Sequence, residues 1–285
     1  MDIQQRVVNG FDGLRLHTLY APLADAPHAP TILWVHGAFE HSARFLPQFD
    51  WFAQHGFASI SYDQRGHGRS AGARMYVRTA DEYVQDLTAV ANAYAEQVKG
   101  PLFVLGHSMG GLVVIRHRQT QAKRTRIPVQ AALVTSPFLG ISAPIPGWKK
   151  SLSKLVVGLY PRLAVPNDLD ASHISHDPQE VAAYKADPMV TKKATAGWFE
   201  AMLSAHEQAL READRTHGPL HFFVAADDRL VSAAATEELY RVLPETVQRS
   251  ICRYPEAYHE ILNEAQPLRD QVRNDILRCL QGHLS

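Results

Sequence analysis

A hydroxyl, an imidazole and a carboxylate can together carry out nucleophilic acyl transfer, and this chain offers all three. The hydroxyl is Ser108, set in Gly106-His107-Ser108-Met109-Gly110. The imidazole is His259, near the end of the chain, and the carboxylate is Asp227 or Asp228. A serine hydroxyl is a weak nucleophile until a neutral imidazole takes its proton. The imidazole in turn needs a carboxylate to hold its tautomer and to stabilise the imidazolium that forms.

The elements that must position these groups are legible around them. Leu102 to Leu105 is an apolar run suited to a buried parallel strand, and Met109 to Ile115 opens an apolar helix. A serine on the turn between such a strand and helix is a nucleophile elbow. A side chain at position 106 or 110 would collide with a neighbouring strand or helix, so glycine is expected at both. The turn pushes the hydroxyl clear of the sheet and sets helix-start amides beside it.

Thr31 to Val35 reads as a second buried strand, ending at His36-Gly37-Ala38. Ligands of a doubly wound sheet gather outside the strand C-termini. The backbone N–H groups of Ala38 and Met109 are therefore expected to form an oxyanion hole. Leu220 to Ala225 is a strand that delivers Asp227 and Asp228, and strand alternation does not choose between them. Val247 to Tyr254 is the last strand, and His259 follows it. Position after that strand, not residue type, singles out His259 among 15 histidines. The order serine, acid, histidine is that of α/β hydrolases. His36 and His107 read as locally packed or bonded side chains. Asp63 to Ser70 reads as a structured loop, with Asp63 bonding nearby amides and Arg65 pairing with a carboxylate.

The remaining segments fit an α/β chain. Ile3 to Val8 and Leu14 to Leu19 predict an antiparallel hairpin at a sheet edge. Phe45 to Phe57, Ala233 to Leu243 and Gln266 to Gln281 predict helices, as does the segment after Thr79-Ala80-Asp81-Glu82, which has the form of a capping box. Arg116, Arg118, Lys123, Arg124 and Arg126 read as a solvated helix end, with attraction to an anionic membrane as the sharper alternative. Between Leu139 and about Gly197 the strand–helix alternation stops. Trp148, Leu152, Leu155, Val156 and Leu159 would share one face of an amphipathic helix. Such a helix would cover the crevice above Ser108 as a lid, its apolar face lining an acyl tunnel or touching lipid.

Composition bounds the reading. The 285 residues carry zero formal net charge, with 46% hydrophobic and 20% charged residues. That is ordinary for a globular enzyme and gives nucleic acid no electrostatic footprint. Cys252 and Cys279 have no metal-ligand spacing and read as free thiols. The N-terminus has neither the basic start nor the apolar stretch of a signal peptide. The longest uncharged run, Ile127 to Trp148, holds four prolines, which argues against a lipid-exposed helix. A soluble, cytoplasmic protein is expected, with no cofactor and no metal.

The chain resembles the monoacylglycerol lipase and lysophospholipase group of α/β hydrolases, the serine aminopeptidase-like lipases. The matching stretches are 36–44, Asp63 to Ser70, Gly106 to Gly111, Ser136-Pro137, Asp228 to Val231 and Tyr258 to Leu262. The resemblance implies Asp228 as the acid, because the family's acid directly precedes an x-Leu-Val step. It implies Ala38 and Met109 as oxyanion residues and a cap over residues 139–197, with 1–138 and 198–285 as core. It also implies substrate contacts at Glu40 and Arg44, which match the lipase branch. Tyr184 to Pro188 is similar to the cap's return segment, and Tyr184 is a further candidate contact. Animal monoacylglycerol lipases have a second histidine three residues after the catalytic one. Leu262 stands there, and the segment is more similar to the bacterial lysophospholipases.

The expected protein is thus a serine ester hydrolase acting on monoacyl lipids through an acyl-enzyme, with transient membrane contact through the cap. A general carboxylesterase or thioesterase would use the same triad and differ in acyl-length dependence. A non-catalytic lipid-binding protein on the same scaffold would not react with a fluorophosphonate.

Overall fold

The computed structural model describes residues 2–142, 158–167 and 169–284. It opens with β1 (Gln4–Asn9) and β2 (Arg15–Ala21), paired antiparallel as the sequence predicts. Next come β3 (Thr31–Val35), α1 (Leu46–Ala53), β4 (Ala58–Tyr62), α2 (Asp81–Ala93), β5 (Leu102–His107), α3 (Met109–Thr120) and β6 (Val129–Thr135). The middle region contributes β7 (Ala164–Pro166), α4 (Pro178–Ala186), β8 (Lys193–Thr195) and α5 (Ala196–Arg211). The chain closes with β9 (Leu220–Ala225), α6 (Ala233–Val242), β10 (Arg249–Tyr254) and α7 (Leu268–Gln281).

Eight strands form one sheet in the order β1-β2-β4-β3-β5-β6-β9-β10. All pairings from β4 onward are parallel, and β2 joins β4 antiparallel. This is the mostly parallel, doubly wound sheet of an α/β hydrolase. The central strands are continuous apolar runs because both faces are covered. Alternate residues feed two cores. Leu33, Val35, Val104, Val134 and Phe222 pack with α2, α3, α5 and α6. Ile32, Trp34, Phe103, Leu133 and Phe223 pack with α1 and α7. Trp34 centres the second core among Phe45, Phe49 and Phe52, and its indole N–H donates to Ser59 Oγ at 3.2 Å.

Several local expectations change. The first helix is shorter than Phe45 to Phe57: a 3-10 turn, Ser42–Phe45, precedes it, and Gly56 at φ 84° turns the chain towards β4. The capping box does not form. Ala80 caps α2 with no side-chain bond, and the Glu82 carboxylate instead receives Arg65 and Arg78. Arg116 and Arg118 are buried rather than solvated: α5 packs over α3 and Arg116 pairs with Glu212 at 2.9 Å, while Arg118 lies against the turn at His217 and Gly218.

In region 139–197, β7 and β8 form a separate two-stranded antiparallel sheet. Ala171, Ile174, Tyr184 and Val190 make a small apolar cluster of their own. The amphipathic segment from Trp148 lies outside the described residues except for its end at Gly158 and Leu159. Among the described residues no helix is long and apolar enough to cross a membrane.

Candidate active site

Strand β5 ends at His107, and Ser108 turns the chain into α3 with φ 53° and ψ −118°. A non-glycine residue in that region costs roughly 1–3 kcal/mol. The surroundings hold it there. Ser108 N–H donates to Thr135 O at 3.0 Å, and its carbonyl accepts from Leu112 and Phe138. A Cβ on Gly106 would lie 2.4 Å from Gly110 O, and one on Gly110 would lie 2.1 Å from Val35 O. The elbow therefore packs so tightly against β3 and the start of α3 that neither position admits a side chain.

The chain ends of β5, β9 and β10 bring three side chains together. His259 Nε2 is 2.9 Å from Ser108 Oγ, and His259 Nδ1 is 2.7 Å from Asp228 Oδ2. Asp228 Oδ1 accepts the N–H groups of Leu230 and Val231, each at 2.9 Å. These two amides fix the carboxylate, so Nδ1 carries the donated proton and Nε2 is left to accept from Ser108. Asp227 faces elsewhere: its side chain is half exposed, 3.4 Å from Arg229.

Electrostatics suit this arrangement. Burial works to raise the Asp228 pKa, but the His259 imidazole and the two amides outweigh it and hold it below the usual carboxylate range. Burial works to lower the His259 pKa, but Asp228 outweighs it and raises the imidazole above its ordinary value. His107, with its ring 4.8 Å from that of His259, is pushed down to about 3 by burial and stays neutral.

A cavity of about 940 Å³ opens onto Ser108 and His259. Phe39, Phe138, Leu163, Val165, Trp198 and Phe199 contribute to a mainly apolar wall. Ala38 lies on that wall, and the preceding Gly37 backs onto Ser108, where an added Cβ would be 3.2 Å from Ser108 Cβ. Met109 is the first residue of α3, with its side chain fully buried.

Residues 26–266 match the family model described as "Serine aminopeptidase, S33". The chain belongs to this family. A monoacylglycerol lipase of Mycolicibacterium smegmatis is 34% identical over 279 residues, covering 96% of each chain. An uncharacterized abhydrolase domain-containing protein of Dictyostelium discoideum is 32% identical over 82% of this chain, which spans 24% of that protein's length. The crystal structure of Paleococcus ferrophilus monoacylglycerol lipase superposes with a TM-score of 0.80 at 25% identity, covering 99% of this chain and 100% of that one.

In this S33 hydrolase the other sequence candidates gather beside the triad as a buried polar network. Glu40 Oε1 accepts the Gly37 N–H at 2.6 Å and Oε2 accepts Arg44 Nε at 2.9 Å. Arg44 also pairs with Glu260 and lies 4.9 Å from the Tyr184 ring centre. Glu40 and Tyr184 line the cavity, whereas Arg44 sits behind them. Burial first, then the Glu260 charge, pushes the Glu40 pKa up. Glu260 is the residue sequence reasoning missed. Its neighbour His259 claimed the segment, and its partner Arg44 is 216 positions away in the chain.

The S33 chain also carries the loop of Asp63 as expected. Asp63 accepts Ser42 N–H and Oγ–H and Arg69 N–H, while Arg65 pairs with Asp12, Glu82 and Asp86. These residues brace the turns below the site and do not reach the cavity.

Proposed function

We propose that this protein hydrolyses esters of monoacyl lipids, with monoacylglycerol favoured over lysophospholipid. The observation that carries the reading is a hydrogen-bonded serine–histidine–aspartate set opening onto a large apolar cavity. Ser108 Oγ attacks the ester carbonyl while His259 Nε2 takes its proton. Asp228 holds the tautomer and stabilises the imidazolium. The tetrahedral oxyanion forms between the Ala38 and Met109 amides. It collapses as His259 gives its proton to the leaving alcohol, and water then cleaves the acyl-enzyme by the same route.

The wall supports the choice of head group. Glu40 and Glu260 offer acceptors there, and among the described lining residues the guanidinium of Arg229 is paired with Asp227. A glycerol can donate hydrogen bonds to these carboxylates, whereas the oxygens of a phosphodiester can only accept. The two monoacylglycerol lipases among the named relatives are consistent with this substrate. Region 139–197 then serves as the cap, and Leu159 and Tyr160 are exposed on it where a lipid surface would meet them. Both cysteines are free, which suits a reducing cytoplasm.

Chain-length dependence separates this reading from a general short-chain carboxylesterase or thioesterase. On a series of p-nitrophenyl esters, kcat/KM should rise from acetyl to medium and long acyl groups, since each buried methylene contributes about 0.8 kcal/mol. A maximum at acetyl with decline thereafter would leave the cavity without an acyl role and favour the short-chain enzyme.

A further inference from the structure

Far from the cavity, the fold assembles a set of side chains that the triad does not use. Among the described residues, His221, Cys279 and His283 bring one ligand atom each within 4.8 Å of one another. His221 stands near the start of β9, and the acid loop follows that strand's other end. At about 3.3 Å per residue the two are roughly 15 Å apart or more. Cys279 is on the last turn of α7, and His283 follows one turn later, so the two share a face. We propose that His221, Cys279 and His283 form a zinc site that pins the C-terminal helix to the sheet.

Three observations carry this. First, the ligand set is right: two imidazoles and a thiolate leave a tetrahedral Zn²⁺ one position for water. Second, the three ligand atoms already lie close together. His221 Nε2 and His283 Nε2 are 2.8 Å apart. Bonds of about 2.0–2.1 Å to a tetrahedral ion set two nitrogens about 3.3 Å apart, and a sulfur at about 2.3 Å lies about 3.6 Å from each, so the rings part by about half an ångström while the thiol closes in from within the 4.8 Å that now encloses the three atoms. Third, the supports are present. Ser250 Oγ lies 2.8 Å from His221 Nδ1, and Ser250 pairs in register with His221 across β9 and β10. With Nδ1–H donating to Ser250, the His221 Nε2 lone pair points towards His283 Nε2, the side on which an ion would be shared. Gln130 Nε2 donates to the His283 carbonyl at 3.1 Å, anchoring the chain beyond the helix.

The protonation states are compatible with binding. Burial pushes His221 down to about 4 and lowers His283, so both imidazoles are neutral near pH 7. Burial pushes the Cys279 thiol up to about 12, with the Cys252 charge adding to it. Binding therefore exchanges the thiol proton for the cation: Zn²⁺ bonds to sulfur and one H⁺ leaves to solvent.

The test uses the full reduced chain without a polyhistidine tag. Zn²⁺ should bind with one equivalent per chain and raise the melting temperature. Co²⁺ in its place should give a thiolate-to-cobalt charge-transfer band in the near ultraviolet. Cys279→Ser should abolish that band. His283→Ala, at a half-buried position near the chain end, should weaken Zn²⁺ binding at least tenfold and remove the thermal shift while the far-UV spectrum stays native. Activity is a poor readout, because excess zinc can also engage His259. Failure to bind one equivalent, a cobalt complex without the thiolate band, or uptake that both variants retain would each overturn the site. None of these results bears on the triad.

Discussion

Ser108→Ala is expected to lower ester turnover about 10⁶-fold, by analogy with serine nucleophiles in other triads. The change removes one oxygen, the atom 2.9 Å from His259 Nε2. It leaves the elbow's backbone problem unchanged, since alanine at φ 53° is no more strained than serine. The far-UV spectrum and melting temperature should therefore stay close to wild type while activity disappears. That combination separates a lost nucleophile from a lost fold. Wild-type hydrolysis by the alanine variant would remove Ser108 from the mechanism.

Asp228→Asn should lower kcat about 10⁴-fold, and Asp227→Asn should change it little. The reason is local geometry. The Leu230 and Val231 amides hold one carboxylate oxygen, so an asparagine would keep its carbonyl there and turn its NH₂ towards His259 Nδ1. Nδ1 would then accept rather than donate, and Nε2 would carry the proton. An imidazole in that tautomer cannot take a proton from Ser108. Asp227, half exposed and beside Arg229, offers no such contact. The pH profile supplies a second check. His259 works as a base only when neutral, and Asp228 raises its pKa above the ordinary 6.5. In wild type the acid limb of kcat/KM should fall above pH 6.5, and removing the carboxylate should move the residual limb to lower pH. Equal losses in the two asparagine variants, or an acid limb that does not move, would count against Asp228.

The same residues illustrate what a single chain discloses. The elbow was legible because its signal is local: an apolar run, glycines at fixed offsets and an apolar helix. The order of strands was legible for the same reason, and it placed His259 among many histidines. Asp227 and Asp228 could not be separated by alternation, which ends with the strand at Ala225; two loop amides make the choice. Two of the misread segments share one cause. Glu82 gave up its local cap for Arg65, and Arg116 left solvent for Glu212. In both, an ion pair with a residue outside the local segment decided the outcome, and at Glu82 it replaced a cap contribution of about 1 kcal/mol. Glu260 was invisible because its partner Arg44 comes from far along the chain, and the Cys279–His283 pair gave no site on its own because His221 joins it only in the fold.

The proposed reaction is tested most directly by fatty-acid release from a monoacylglycerol and from a lysophosphatidylcholine of equal chain length, with Ser108→Ala as the blank. The expected result is release from the monoacylglycerol, several-fold faster than from the lysophospholipid and absent in the blank. Faster release from the lysophospholipid would contradict the assignment of Glu40 and Glu260 to a glycerol. Release from neither, with p-nitrophenyl butyrate still cleaved by Ser108, would contradict the lipid substrate itself and leave a general esterase.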